Sequence, residues 1–194
     1  MGKSAPMKGL FAYRMMFELC MGAVMAFLPI FAGVHIKIDP TYIGLLIAMN
    51  LLLTSFLQIF TGRIADRFNR RLLLIGGSAF NFLILAVTPL ATNFWYLAII
   101  MLIRVAGATI TMPTLAALTV DEGRKFGMGT ASATLATATS MGMALGPILG
   151  GAVVDAAGVS TVFVFSAVMG MLGTGTYAWF SRNAYVKTVP PAPH

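Results

Sequence analysis

Two ionisable side chains of this 194-residue chain are expected deepest inside long apolar runs: Glu18 within 10–33 and Arg104 within 95–118. At the centre of a membrane helix each costs roughly 2.5–3.5 kcal/mol on insertion scales, so neither is expected to face lipid without a partner. Glu18 lies eight residues past Leu10, or ~12 Å from one boundary, and Arg104 nine past Trp95, or ~13 Å from the other, at 1.5 Å per residue. In a ~30 Å apolar layer those depths differ by about 5 Å, within reach of two long side chains. A carboxylate and a guanidinium facing one cavity make a pair that a proton taken up by Glu18 would loosen. A second arrangement is local: Arg14 and Glu18 are four residues apart and can pair along one helix face, leaving Arg104 to bond backbone carbonyls.

A second group of chemical interest is Gly62-Arg63-Ile64-Ala65-Asp66-Arg67-Phe68-Asn69-Arg70-Arg71. Gly62 is expected to let two helices approach closely, and Asn69 suits the left-handed backbone of a tight turn. Asp66 near a helix end can accept backbone N–H groups and neighbouring guanidinium groups. Such a cluster either latches one helix bundle against another or serves only as a cationic anchor. A third group is Gly142, Gly146 and Gly150, spaced by four, with Pro147 and Gly151 among them. A stripe of this kind is flat enough for close helix contact, and Pro147 removes a backbone donor and bends its helix. Upstream, Thr130, Ser132, Thr134, Thr137, Thr139 and Ser140 either line a wet cavity or bond their own helix carbonyls.

No catalytic constellation is present. His35 and His194 lack a base or metal partner, the single Cys20 excludes an internal disulfide, and there is no Gly-Lys-Ser/Thr phosphate loop. The chain is therefore read as no enzyme, with no metal and no cofactor.

The elements that must position these residues follow from composition. Hydrophobic residues make up 58% and charged residues 10% of the chain, and mean hydropathy is +0.87. A typical soluble domain carries roughly a quarter charged residues, so the solvent over most of this length must be lipid. Apolar runs cover 10–33, 42–61, 72–91, 95–118, 127–154 and 160–180, each long enough to cross the bilayer as a helix. They are too long and too uniformly apolar for barrel strands. Turns are expected at Ile38 to Pro40, Gly62 to Arg71, Pro89 to Asn93, Asp121 to Lys125 and Asp155 to Ser160.

Counting cations by side orients the bundle. Lys3, Lys8, Arg14, Arg63, Arg67, Arg70, Arg71, Arg124, Lys125, Arg182 and Lys187 fall on one side, against Lys37 alone on the other. The positive-inside rule places both termini in the cytoplasm of an integral inner or plasma membrane protein. The net charge of +7 then reflects topology and acidic lipid headgroups, and no nucleic-acid partner is needed. The expected organisation is a six-helix bundle over 1–184 and a short disordered cytoplasmic tail over 185–194. Tyr13, Trp95, Tyr96, Tyr177 and Trp179 lie near helix ends and fit an aromatic belt. Asn50, Gln58 and Asn81 are expected as interhelical hydrogen-bond partners or solute contacts, and Met21 and Met25 as a soft apolar wall.

The stretch Gly62 to Arg71 resembles the loop 2–3 signature of the major facilitator superfamily, Gly-x-x-x-Asp-Arg/Lys-x-Gly-Arg-Arg/Lys, at Gly62, Asp66, Arg67, Arg70 and Arg71; Asn69 replaces its Gly. The run Gly142 to Gly151 resembles the fifth-helix pattern Gly-x-x-x-Gly-Pro-x-x-Gly-Gly of that family's antiporters, with Ala133 in place of an upstream Gly. In helix 4 the spacing departs from the family's, since Gly107 follows Arg104 one residue too early. The resemblance covers almost the whole chain but only half of a usual family member, which has twelve helices in two halves. Phe27-Leu28-Pro29 and Gly127-Met128-Gly129-Thr130 are more like C-terminal halves.

The resemblance implies an all-α fold, half of a major-facilitator fold, with a three-plus-three inverted repeat. It implies that Asp66 and the adjacent arginines latch a cytoplasmic gate. It also implies a drug/proton antiporter-like secondary transporter module, exporting a small organic or amphipathic solute against protons. Alternating access needs two bundles, so the module is expected to act as a homodimer or with a complementary six-helix half. The competing expectation is a non-transporting membrane scaffold or a truncated remnant of a twelve-helix transporter.

Overall fold

The structure is a computed structural model that describes residues 5–185, and within them not the side chains of residues 5, 63, 65–67, 126 and 182–185. The tail expected over 185–194 lies, from residue 186 on, outside the described residues. Six long helices follow one another: α1 (Ala5–Ile30), α2 (Pro40–Arg67), α3 (Arg70–Ala86), α4 (Phe94–Phe126), α5 (Met128–Ala157) and α6 (Thr161–Tyr185). Each carries a segment long and apolar enough to cross a membrane. Helix is forced by the solvent: lipid offers no hydrogen bonds, so every backbone N–H and C=O must be met within the segment.

The starts of α2, α3 and α4 are fixed by side-chain caps. The Asp39 carboxylate accepts the Thr41 N–H at 2.8 Å with Pro40 behind it, and that hydrogen bond holds Asp39 below the usual carboxylate range. Asn69 Oδ1 accepts the Arg71 N–H at 3.0 Å, and Asn93 Oδ1 the Tyr96 N–H at 3.1 Å. Asn69 therefore has extended backbone, φ −62° and ψ 106°, and caps α3, correcting the left-handed turn expected of it. Two other expectations are corrected. Residues 62–67 continue α2, and Asp121 to Lys125 form the last turns of α4, not a loop. The chain reverses instead at Gly127, whose φ of +98° only glycine adopts without strain. With 33 residues α4 is about 50 Å long, well beyond a ~30 Å apolar layer, so its charged end stands in water.

α1 is packed between α5 and α6, α4 packs on α2 and α3 and touches α5, and α3 also packs on α6. α2 is the outermost helix, with Leu51, Leu52, Phe56, Ile59 and Phe60 exposed. The core gathers Tyr13, Phe17, Phe31, Phe82, Leu97, Met101 and Phe163. Tyr13 and Tyr177 belong to it, their rings 6.0 Å apart, so they leave the expected aromatic belt to Trp95, Tyr96 and Trp179, which are exposed.

In lipid the approach of helices depends on small residues. A Cβ on Gly142 would collide with the Met15 carbonyl oxygen and lie 2.8 Å from Glu18 Cβ. One on Gly146 would collide with the Leu19 carbonyl oxygen, and one on Gly150 would lie 2.7 Å from the Phe27 ring. The stripe is thus buried against α1, backbone to backbone, with Pro147 against Gly22. Gly151 is turned away, its added Cβ no closer than 3.9 Å to Phe27 Cζ. A second contact joins α3 and α4, where a Cβ on Gly107 would lie 2.7 Å from the Gly77 carbonyl oxygen. Gly62 is different: a Cβ there meets nothing within 4 Å among the described residues, so its expected close approach is not made among them.

These contacts order the glycines by cost. Gly146→Ala is expected to destabilise the bundle by about 1–3 kcal/mol, the range for overpacking, whereas Gly62→Ala should leave the thermal midpoint of the purified chain in detergent unchanged. Equal midpoints for the two variants would refute the α1–α5 contact.

Candidate functional site

Because the stripe presses α5 onto α1, the N-terminal half of α1 faces both α5 and α4. Arg14 projects there and is held on three sides. Its Nη2 pairs with Glu18 Oε1 at 2.7 Å, its Nε donates to Thr139 Oγ1 at 2.8 Å, and its Nη1 donates to Met112 Sδ at 3.4 Å. Glu18 is buried, its side chain 9% exposed against 20% for Arg14. The structure thus forms the local i,i+4 pair, and the Glu18–Arg104 pair is not made. Three helices meet at a neutral, charge-assisted cluster, and the Cβ of Glu18 lies against the stripe at Gly142.

Arg104 is buried nearer the other end of the bundle. Its Nη1 reaches Asn81 Oδ1 at 3.5 Å on α3 and Met21 Sδ at 3.7 Å on α1. Arg14, Glu18 and Met21 fall at i, i+4 and i+7, so both guanidinium groups contact one face of α1. Asn81 is an interhelical partner as expected. Asn50 instead donates to the Leu46 carbonyl of its own helix at 3.3 Å, and Gln58 is exposed. Met25 is exposed at 60%. The hydroxyls of α5 turn inward on their own helix: Thr134, Thr137 and Thr139 donate to the carbonyls four residues back. Only Thr139 also reaches a charged side chain.

At the cationic end, Arg70 pairs with Asp121 of α4 at 2.7 Å, and Arg71 Nη2 donates to the Ala178 carbonyl of α6 at 3.0 Å. These two arginines of the loop motif bind their own bundle, tying the start of α3 to the ends of α4 and α6. The side chains of Asp66 and Arg67 lie outside the described residues. Tyr13 and Ser78 share a buried hydrogen bond of 2.6 Å between α1 and α3, and Thr61 donates to the Thr109 carbonyl at 3.0 Å between α2 and α4. Asp121, Thr139 and Gly77 are contributors that sequence reasoning missed. A charge read as part of a loop, one hydroxyl among six and an isolated glycine carried no local signal of a partner. Among the described residues no group of His, Cys, Asp or Glu could hold a metal ion.

The sequence profile of the Major Facilitator Superfamily matches residues 10–194. The chain is 31% identical over 128 residues to "Multidrug resistance protein MdtG" of Dickeya zeae (strain Ech586), covering 65% of this chain and 31% of that protein. It is 30% identical over 150 residues to the protein of the same name from Enterobacter lignolyticus (strain SCF1), covering 74% and 35%. For the one from Yersinia enterocolitica the identity is 28% over 163 residues, covering 81% and 38%. The chain spans about a third of the length of these relatives.

The buried pair is where substitution should be costly. Arg14→Met strands the Glu18 carboxylate and is expected to cost about 3–5 kcal/mol, the range for a buried pair that loses one partner. Arg14→Met with Glu18→Leu should recover much of that loss. A double-mutant cycle on thermal unfolding in detergent checks it, and additive losses would sink the pairing. For Arg70 and Asp121, both partly exposed, the same cycle should give about 0.2–1 kcal/mol, shrinking with added salt.

Proposed function

The chain belongs to the major facilitator superfamily, and we propose that it is one six-helix bundle of a secondary transporter that exports a small organic or amphipathic solute in exchange for protons. It is an integral membrane protein of a transporter family, not an enzyme. The likeness to proteins named for multidrug resistance supports an amphipathic cargo and outward direction. The observation that carries the proton site is the Arg14–Glu18 pair, where α1, α4 and α5 meet. A proton on Glu18 neutralises the carboxylate and leaves Arg14 with a hydroxyl and a thioether. The grip among the three helices then loosens at the point where a solute cavity would open. Asp66, Arg67, Arg70 and Arg71 act with Gly62 as the cytoplasmic gate, the last two arginines by bracing α3 on α4 and α6.

The packing supports a three-plus-three repeat: exchanging α1 with α4, α2 with α5 and α3 with α6 leaves the main helix pairings in place. It also supports a second bundle. α2 and α5 are the least buried spans, and neither Gly44 nor Gly62 of α2 has an atom within 4 Å of an added Cβ. A complementary half or a second copy would cover these faces. A homodimer would have to use them and not the α5 stripe, because α1 already fills that. Gly9 against Phe180, Arg70 against Asp121 and Arg71 against Ala178 put both described chain ends and the cationic residues at one end of the bundle. We assign that end to the cytoplasm.

The first test is mass in nanodiscs followed by proton flux. A dimer of the 20.6 kDa chain in proteoliposomes should release protons from a pyranine-reported interior when ethidium is added to drive exchange. Glu18→Gln should insert equally well and release none. Unchanged flux in Glu18→Gln would sink the proton site. A monomeric mass without flux would sink the two-copy transporter and favour a scaffold or remnant.

A further inference from the structure

Arg104 is a buried charge that the proton site above does not use. Its residue is 8% exposed and Asn81 beside it 0%. The guanidinium carries five N–H donors, yet its hydrogen bonds among the described residues are two long ones, to Asn81 Oδ1 and Met21 Sδ at 3.5 and 3.7 Å. Arg104 Nε and Asn81 Nδ2 are both buried and both without a hydrogen-bond partner among the described residues. Arg104 forms no ion pair among them either, since Glu18 is committed to Arg14.

Two touching side chains thus bring unpaired donors together in a low-dielectric interior, with one uncompensated positive charge. The single acceptor of Asn81 is already turned to the guanidinium. A cation is repelled there, and a neutral carbonyl would satisfy the donors but leave the charge. A small anion with one negative charge satisfies both.

We propose that Arg104 and Asn81, at the junction of α1, α3 and α4, form a binding site for a monovalent anion. The shared chemistry is a compact single negative charge that accepts two N–H donors. Its source is either the carboxylate of a small organic molecule or inorganic chloride. The site stands on burial and on unpaired donors, independent of transport, so a failed proton-flux experiment leaves it standing.

The test reads the thermal midpoint of the purified full chain in detergent while sodium benzoate or sodium chloride is titrated from low salt, because a ligand that binds only the folded state raises the midpoint. The wild type should gain stability with at least one anion. Arg104→Gln should show no gain. Asn81→Asp, which supplies an internal counter-charge, should start from a raised midpoint and respond to neither salt. Arg124→Gln, on the exposed end of α4, should respond as the wild type does. Benzoate acting at lower concentration than chloride assigns the site to carboxylates, and the reverse assigns it to chloride. No gain in the wild type with either anion overturns the site, as does an equal gain in wild type and Asn81→Asp. Should Arg104→Gln fail to fold, those two readings decide.

Discussion

Helices in lipid gain nothing from hiding apolar surface, because the tails around them are as apolar as leucine, so the distance of closest approach governs which helices associate. Here that constraint is met where α5 lies on α1. Gly142, Gly146 and Gly150 step along α1 past Met15, Leu19 and Ala23 in fours, with the two helices running parallel. The register of this contact sets the chemistry. With Gly142 against the backbone at Met15 and Leu19, Thr139, less than one turn earlier on α5, comes level with Arg14 and accepts from it. A one-residue slip would bring a side chain into the backbone of α1 and rotate the hydroxyl away. The polar cluster is therefore a consequence of the stripe, and the stripe's position in sequence is also its position in depth.

The same economy governs the cationic end. The link between α2 and α3 is only Phe68 and Asn69, too short to let α3 wander, and Asn69 uses its side chain to start the helix. Arg70 and Arg71 then project at once toward α4 and α6. α4 can meet Arg70 because it outruns the apolar layer and carries Asp121 as part of a continuous helix. Exposed ion pairs of this kind stabilise little. Their geometric effect is larger, because they bring three helix ends into register outside the bilayer, where no apolar packing would do so.

The six spans and the alternative of an Arg14–Glu18 pair were legible in the sequence, because length, hydropathy and i,i+4 spacing are local properties. What was not legible is long-range. The glycine stripe announces close contact but not with which helix. Tyr13 and Tyr177 near helix ends fit an interfacial belt by residue type, and only the Ser78 hydroxyl from another helix gives the Tyr13 phenol a partner that permits burial. Asn69 can either cap a helix or enter the left-handed region, and the arginines that follow it do not choose between them. Asp121 to Lys125 looks like a loop by charge, yet charge in a helix that leaves the bilayer costs nothing. Gly62 carried the family pattern, and spacing alone did not reveal that an added Cβ there meets nothing within 4 Å among the described residues.

Two guanidinium groups of unlike standing remain, Arg14 half-buried and Arg104 buried, and α1 connects them. Arg14 is neutralised by Glu18 on its own helix and reaches across to Met112, while Arg104 on α4 reaches back to Met21. Both cross-contacts are between α1 and α4, and both end on a methionine sulfur, a weak and polarizable acceptor that adapts to changes of distance. Stronger acceptors at those positions would fix α1 against α4. Thioethers instead leave a helix pair that is electrostatically gripped at two depths but not locked at either. The firm contacts of α1 lie on α5 and α6, through the Gly142–Gly150 stripe and the Cys20 thiol that donates to the Ser166 carbonyl. Those of α4 lie on α3 and α2, through Gly77–Gly107 and Thr61. The bundle is thus divided by its own chemistry into α1–α5–α6 and α2–α3–α4. The charged side chains of the membrane interior sit where the two sets meet, beside the buried Tyr13–Ser78 hydrogen bond and the α3–α6 packing that also join them.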